Sequence, residues 1–168
     1  AGYSITLAGL QGGHSGGDIH LGRASANQVM GRVLYSAMER FRGLRLAAVS
    51  GGQFDNVICS RCDAAVAIPA GKEAEFEAFI AEFDAILKNE YAGCDDGITL
   101  KCAKADVTSA VSEAVTNTML HTLLALPQGV QAMSVDFPGL TQTSLNMGVL
   151  KLEDDGLHIT FSIRSSIA

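Results

Sequence analysis

Near its start the chain reads Tyr3-Ser4-Ile5-Thr6-Leu7, in which apolar and polar side chains alternate. This alternation predicts a strand with one buried face. From Met30 to Phe41 apolar residues recur at helical spacing, which predicts an amphipathic helix over about residues 23–42 that ends at Gly43. The chain therefore opens with a strand, a glycine-rich loop and a helix.

The same alternation of strands and helices continues along the chain. Short apolar runs bounded by turn residues predict strands, and an apolar stripe from Phe76 to Leu87 predicts a second helix. The predicted strands cover residues 44–49, 57–68 and 98–105. The second helix covers about residues 72–90, between the last two of these strands. The order β-α-β-β-α-β indicates a ferredoxin-like α+β fold, an antiparallel sheet with helices on one face.

The C-terminal part is predicted to extend this fold. A third helix begins at Thr108 or Ser109 as N-cap and ends before Pro127. Strands over 141–152 and 157–167 then form a hairpin, because Asp155-Gly156 suits a tight turn. Since no linker, repeat or low-complexity tract interrupts the chain, we expect residues 1–168 to form a single domain.

Composition narrows the classes of function. The chain has 168 residues, a net charge of −6 and 48% hydrophobic residues. An acidic chain without a basic cluster does not suit a nucleic-acid or anionic-membrane partner. No run approaches the roughly 20 apolar residues of a membrane-spanning helix. Four cysteines do not resemble a secreted disulfide framework, which favours a reducing, cytoplasmic location.

The glycine-rich loop after the first strand holds the first candidate site residue, His14. Glycines let backbone amides approach a ligand ahead of a helix, but neither a phosphate-loop nor a dinucleotide-loop spacing occurs. Flanked by glycines, His14 is expected to be exposed. Two interpretations remain open: a polar loop residue bonded to a neighbour such as Asp18, or an imidazole that acts as general acid or polarises a carbonyl.

Asn56 and Arg164 are two further candidates. Asn56 precedes a strand, and its alternatives are a turn residue bonded to its own backbone or a ligand contact. In the last strand Leu157, Ile159, Phe161 and Ile163 share one face, so Arg164 lies on the other, away from the helix-packed core. Its alternatives are a solvated charge or a guanidinium that binds a carboxylate.

The cysteines and the remaining histidines do not indicate a metal site. Cys59 and Cys62 form a CxxC motif inside a predicted strand, where their side chains point to opposite faces. Cys94 and Cys102 have no ligand pattern, so buried free thiols are expected. His20, His121 and His158 lack ligand spacing as well. We therefore predict no metal ligand in this chain.

Three motifs carry a resemblance to a known family. The loop reads Gly9-Leu10-Gln11-Gly12-Gly13-His14-Ser15-Gly16-Gly17-Asp18-Ile19, followed by Gly22-Arg23-Ala24 and Asn27. Gly51-Gly52 precede Asn56-Val57-Ile58, and the chain closes on Ser162-Ile163-Arg164-Ser165-Ser166. In this order they resemble the lid domain of Xaa-His dipeptidases (aminoacyl-histidine dipeptidase, peptidase D), bacterial relatives of carnosinases among the co-catalytic zinc peptidases and aminoacylases. One departure is Cys59-Ser60, where many relatives continue with Pro.

The resemblance implies a function for the three candidates. In that family the lid is inserted into a catalytic domain that holds two zinc ions, whose ligands have no counterpart here. The chain is then a single lid and dimerisation domain excised from a larger two-domain peptidase, inactive alone, that forms a homodimer. By this resemblance His14 polarises the scissile carbonyl and stabilises the oxyanion in the partner subunit's active site. Asn56 hydrogen-bonds the dipeptide substrate, and Arg164 binds its C-terminal carboxylate.

Two other classes of function remain open on the sequence. One is a purely structural dimerisation module, in which His14, Asn56 and Arg164 are incidental. The other is a stand-alone ferredoxin-like regulator that binds a small metabolite between subunits.

Overall fold

A computed structural model describes residues 1–167 of the chain. Across these residues there are three α-helices and nine strands, with a short 3-10 helix at Ile19–Leu21. The helices are α1 (Ala26–Arg40), α2 (Glu73–Glu90) and α3 (Glu113–Ala125). The strands are β1 (Gly2–Ala8), β2 (Gly13–His14), β3 (Arg45–Gly51), β4 (Val57–Ile58), β5 (Cys62–Ala67), β6 (Thr99–Lys104), β7 (Gly129–Met133), β8 (Thr141–Glu153) and β9 (Gly156–Ser165). None of the helices in this part of the chain is long and apolar enough to cross a bilayer.

The sheet contains the predicted ferredoxin-like arrangement. β1, β3, β5 and β6 lie in the order β6-β1-β5-β3, and neighbouring strands are antiparallel. β8 continues the sheet beyond β3, β7 pairs with the start of β8, and β9 pairs with most of the length of β8. The α+β prediction, with a third helix and a C-terminal hairpin added to the ferredoxin-like core, is therefore confirmed.

The core lies between the sheet and the helices. In β1 the side chains of Tyr3, Ile5 and Leu7 are fully buried, whereas Ser4 and Thr6 are only half-buried. They join one apolar cluster with buried residues of α1 and α2, among them Met30, Val33, Leu34, Phe76, Phe79 and Ile80. Burial of each large apolar side chain contributes about 1.5–3 kcal/mol, so β1 and α1 are firmly anchored at both ends of the glycine-rich loop.

α3 and the segment before it close the outer edge of β3. The backbone N–H of Leu46 donates to the buried hydroxyl of Thr116 at 3.0 Å, and the amide of Val111 donates to the Leu46 carbonyl at 2.9 Å. At Ser50 and Gly51 the strand β8 takes over the pairing. The N–H and C=O of Leu46 are thus paired inside the chain, which leaves less of this edge open to strand addition.

The strand predicted over 57–68 is wrong as a continuous element. It is divided into β4 and β5, because Cys59, Ser60 and Arg61 leave the ladder. The carbonyl of Cys59 accepts the Ala26 amide at 2.7 Å, and its thiol bonds the side chain of Asn27. The start of α1 therefore pulls the chain away from a regular strand at this point.

The predicted start of the third helix is also corrected, and two short strands, β2 and β7, are additional to the prediction. α3 begins at Glu113, and its N-cap is Ser112, whose hydroxyl accepts the Val115 amide at 3.2 Å, rather than Thr108 or Ser109. The pairing of Val111 with Leu46 holds the preceding residues in an extended conformation. β7 was not predicted, because a short strand with two register shifts is recognisable only by its partner β8.

Candidate functional site

The loop between β1 and α1 folds back into the short strand β2. Gly13 and His14 pair with Ile58 and Val57 of β4. Gly13 has a φ of 140°, and a Cβ atom there would lie 2.6 Å from a carboxylate oxygen of Asp18. Because only glycine tolerates this backbone and this close approach, the glycines set the path of the turn that carries His14.

Asp95, between α2 and β6, anchors this loop. The carboxylate is fully buried; its Oδ1 accepts the Gln11 amide and its Oδ2 accepts the Ala24 amide, each at 2.7 Å. One side chain therefore ties together the two ends of the loop. In the sequence Asp95 follows the second predicted helix, and nothing local distinguishes it from its exposed neighbour Asp96.

Asp18 and Arg23 stabilise the turn itself. Oδ2 of Asp18 accepts the backbone amide of His14 at 2.8 Å, and Nη1 of Arg23 donates to the Gly12 carbonyl at 2.7 Å. The two side chains lie 3.6 Å apart. Asp18 is thus the predicted hydrogen-bonding neighbour of His14, but it binds the peptide group and not the imidazole.

The imidazole of His14 is held by the loop backbone. His14 is exposed, and its Nδ1 accepts the amides of Gly16 at 3.0 Å and of Gly17 at 3.2 Å. Within residues 1–167 its Nε2 has no hydrogen-bond partner, so this nitrogen is available to a ligand. The predicted exposure of His14 is confirmed.

Arg164 of β9 reaches the same loop. A Cβ atom built on Gly16 would lie 3.1 Å from the Arg164 guanidinium carbon and 3.1 Å from Cε1 of His14. We call these two groups, which both lie against Gly16, the His14–Arg164 pair. No salt bridge in the described part of the chain involves Arg164. Two hydrogen-bond donors converge here, an arrangement that suits a carboxylate or another oxyanion.

Asn56 lies beside this pair on the loop between β3 and β4. It is exposed, and its carbonyl accepts the Ser15 amide at 2.9 Å. The buried Asn146 of β8 fixes this loop by donating to the carbonyls of Asp55 at 2.7 Å and Val57 at 2.9 Å. Sequence reasoning missed Asn146, although a lone amide within an apolar strand is a signal that a backbone partner must be nearby.

The cysteines and other histidines occupy different environments. Burial raises the pKa of the Cys59 thiol, and that of Cys62 well above its ordinary value, so both are neutral thiols near pH 7. Cys94 and Cys102 are half-buried rather than fully buried. Among residues 1–167 the one set of three potential metal donors in mutual reach is Glu153, Asp155 and His158, all exposed on the β8–β9 hairpin.

Comparison with known proteins agrees with this architecture. Residues 5–94 match the family model of the peptidase dimerisation domain. The cytosol non-specific dipeptidase of Escherichia coli (strain K12) is 35% identical over 166 residues, which are 98% of this chain and 34% of that protein. The crystal structure of aminoacylhistidine dipeptidase from Vibrio alginolyticus matches with a TM-score of 0.93 and 32% identity, over 99% of this chain and 34% of that one. The chain thus spans about a third of the length of these two relatives. It belongs to the peptidase dimerisation domain family.

Proposed function

We propose that this domain is the lid and dimerisation domain of a zinc-dependent dipeptidase that hydrolyses Xaa-His dipeptides. The observation that carries the proposal is the His14–Arg164 pair. An imidazole and a guanidinium converge over Gly16, and the peptide of Asn56 is bonded to Ser15 in the same loop. A dipeptide offers two groups that such donors bind: the scissile carbonyl and the C-terminal carboxylate.

Each residue has a defined role in this proposal. Arg164 binds the C-terminal carboxylate through its planar guanidinium, which matches a carboxylate better than a lysine does. His14 donates a hydrogen bond to the scissile carbonyl and holds the oxyanion that forms as the carbonyl carbon becomes tetrahedral. A preorganised donor of this kind contributes about 3–4 kcal/mol to the transition state. Asn56 hydrogen-bonds the substrate beside them.

The zinc ions of the proposal do not fit this domain. The Glu153, Asp155 and His158 group is exposed, lies on a hairpin and has its carboxylates engaged by Lys151 and His158. We propose instead that two zinc ions are bound by a separate catalytic domain, into which this lid is inserted. The residues of this domain then bind and orient the substrate and stabilise developing charge, and the isolated domain is inactive.

The family and the relatives support the remaining parts of the proposal. A peptidase dimerisation domain is expected to form a homodimer, and we propose that His14 acts in the active site of the partner subunit. The names of the two relatives differ in specificity: one is a non-specific dipeptidase and the other an aminoacylhistidine dipeptidase. The name of the first also places that protein in the cytosol, and we propose a cytoplasmic location here.

The first experiment replaces His14 by Ala in the full-length two-domain protein. We expect kcat/KM on an Xaa-His dipeptide to fall by about 100-fold or more, because an oxyanion donor is lost. His158→Ala is the control, since its contacts are confined to the β8–β9 hairpin, and its activity is expected to stay unchanged. An unaltered kcat/KM in His14→Ala would overturn the role of His14 and favour a purely structural dimerisation module.

A second experiment tests whether His14 acts between subunits. The inactive His14→Ala protein is mixed with a protein that is inactivated in its catalytic domain but keeps His14. Heterodimers that recover activity support action in the partner's site, because one intact combination of the two parts is restored. Activity that stays at the level of the separate variants contradicts it. Assay of a His-containing and a His-free dipeptide in parallel tests the proposed specificity.

A further inference from the structure

The hydrogen bonds around His14 define which of its nitrogens carries the proton. Backbone amides can only donate, and those of Gly16 and Gly17 both point at Nδ1, at 3.0 and 3.2 Å. A protonated Nδ1 would place its N–H opposite two backbone N–H groups, and none of the three could accept a hydrogen bond. The lone pair of Nδ1 must therefore face the two amides. In the neutral ring the proton then resides on Nε2, the nitrogen without a partner in the described part of the chain.

A second histidine of the same chain is held in the opposite way. Nδ1 of His121 lies 2.9 Å from the carbonyl oxygen of Asn117, one helical turn earlier in α3. A carbonyl can only accept, so Nδ1 of His121 carries the proton and its Nε2 does not. The chain therefore contains an internal reference with the tautomer expected to be reversed.

Gly16 has a further property that its neighbour Gly17 lacks. A Cβ atom on Gly16 would come within 3.1 Å of both members of the His14–Arg164 pair, so both side chains would have to give way. A Cβ atom on Gly17 would meet nothing within 4 Å. Neither glycine has a positive φ, so alanine fits the backbone at both positions and leaves both amides in place.

We infer that Gly16 and Gly17 fix His14 as its Nε2–H tautomer, and that Gly16 is a positioning residue whose missing side chain lets His14 and Arg164 lie side by side, His14 towards the scissile carbonyl and Arg164 towards the C-terminal carboxylate. This inference rests on the proposed function for the identity of the ligand, a dipeptide with a scissile carbonyl and a C-terminal carboxylate. The tautomer itself depends only on the loop. With Nε2–H facing outward, His14 is a hydrogen-bond donor before any substrate arrives, as carbonyl polarisation requires.

The tautomer is tested by NMR on this 168-residue chain with ¹⁵N-labelled histidine, at a pH where the imidazoles are neutral. Long-range ¹H–¹⁵N correlations distinguish a protonated ring nitrogen from an unprotonated one, and His14→Asn and His121→Asn variants assign the signals. We expect Nε2–H for His14, favoured by about tenfold or more, and Nδ1–H for His121. An Nδ1–H form of His14 overturns the inference, whatever the activity of the full-length protein.

The positioning role is tested by comparing Gly16→Ala with Gly17→Ala in the full-length protein. We expect kcat/KM to fall about tenfold or more in Gly16→Ala, because the His14–Arg164 pair is displaced by a few tenths of an ångström, and to stay near the original value in Gly17→Ala. Urea midpoints are expected to agree between the two variants, which separates positioning from loss of stability. Equal activities of the two variants contradict the positioning role. If the original chain shows the Nε2–H tautomer but His14→Ala keeps its full kcat/KM, the proposed function alone is refuted.

Discussion

Two exposed histidines lie at tight turns of this molecule and are held by opposite kinds of partner. The imidazole of His14 accepts hydrogen bonds from two backbone amides, in a loop that the buried Asp95 ties to the core. That of His158 lies 2.7 Å from a carboxylate oxygen of Asp155 and 3.6 Å from one of Glu153, on a hairpin of exposed side chains. The first ring is oriented by the fold, and the second by neighbouring charges.

The difference separates a preorganised site from a surface ion pair. Backbone amides cannot rotate away or be screened by salt, so the direction of the His14 ring persists when its surroundings change. Exposed ion pairs contribute little, because both side chains lose freedom and solvent weakens their attraction. The chemistry of the partner, rather than the exposure of the histidine, therefore distinguishes the two residues.

The largest expected effect comes from breaking the anchor of the His14 loop with Asp95→Ala. The substitution leaves the buried amide of Ala24 and the part-buried amide of Gln11 without acceptors, so we expect the free energy of unfolding to fall by about 2–4 kcal/mol. Urea denaturation measures this loss, and hydrogen exchange of the Gln11 and Ala24 amides reports on the loop directly. Asp96→Ala is the matched control: it removes one exposed bond to the Gly93 amide, and we expect a loss of about 1 kcal/mol or less. Equal losses in the two variants would contradict the anchor.

A smaller effect is expected for Asp18→Ala, which removes the acceptor for the backbone amide of His14. The bond is partly exposed, and the carboxylate also faces Arg23 at 3.6 Å, so the expected loss of stability is about 1 kcal/mol. We expect faster hydrogen exchange at the His14 amide, with the exchange of the α1 core unchanged. Asp136→Ala, an exposed loop carboxylate, serves as the control. If His14 exchange is unaffected, Asp18 does not hold the turn.

The sequence predicts the parts of this architecture that depend on local patterns, and misses those that depend on contacts between residues far apart in the chain. The β-α-β-β-α-β core was predictable because alternation in β1 and the apolar stripes of α1 and α2 are local patterns. The break at Cys59 was not, since it depends on the distant Ala26 amide and Asn27. The start of α3 was missed for a similar reason: Thr108, Ser109 and Ser112 are all acceptable N-caps, and a contact between Val111 and Leu46 decides among them.

The same reasoning applies to the site. Its exposed residues His14, Asn56 and Arg164 were candidates from motif and context, whereas the groups that support them were invisible. Asp95 and Asn146 act through backbone groups more than 70 residues away in sequence, and no local pattern marks such partners. Gly16 was visible as one glycine among several, but its role depends on Arg164 arriving from the last strand.

The smallest expected effect is the pH dependence of the His158 pair. Hydrogen bonding and charge from Asp155 raise the pKa of His158, and His158 in turn lowers the pKa of Asp155. A raised histidine pKa stabilises the fold fully below the unfolded value of about 6.5, and this is lost as the pH rises through the folded pKa. The lowered pKa of Asp155 stabilises above about pH 3.9 and is lost as the pH falls through its folded value. The difference in urea midpoint between the original protein and His158→Gln should therefore be greatest near about pH 5.5 and should shrink at a pH well above the raised pKa of His158. A difference that is the same at both pH values would mean that His158 acts through packing. It would then be wrong that neighbouring charges orient His158.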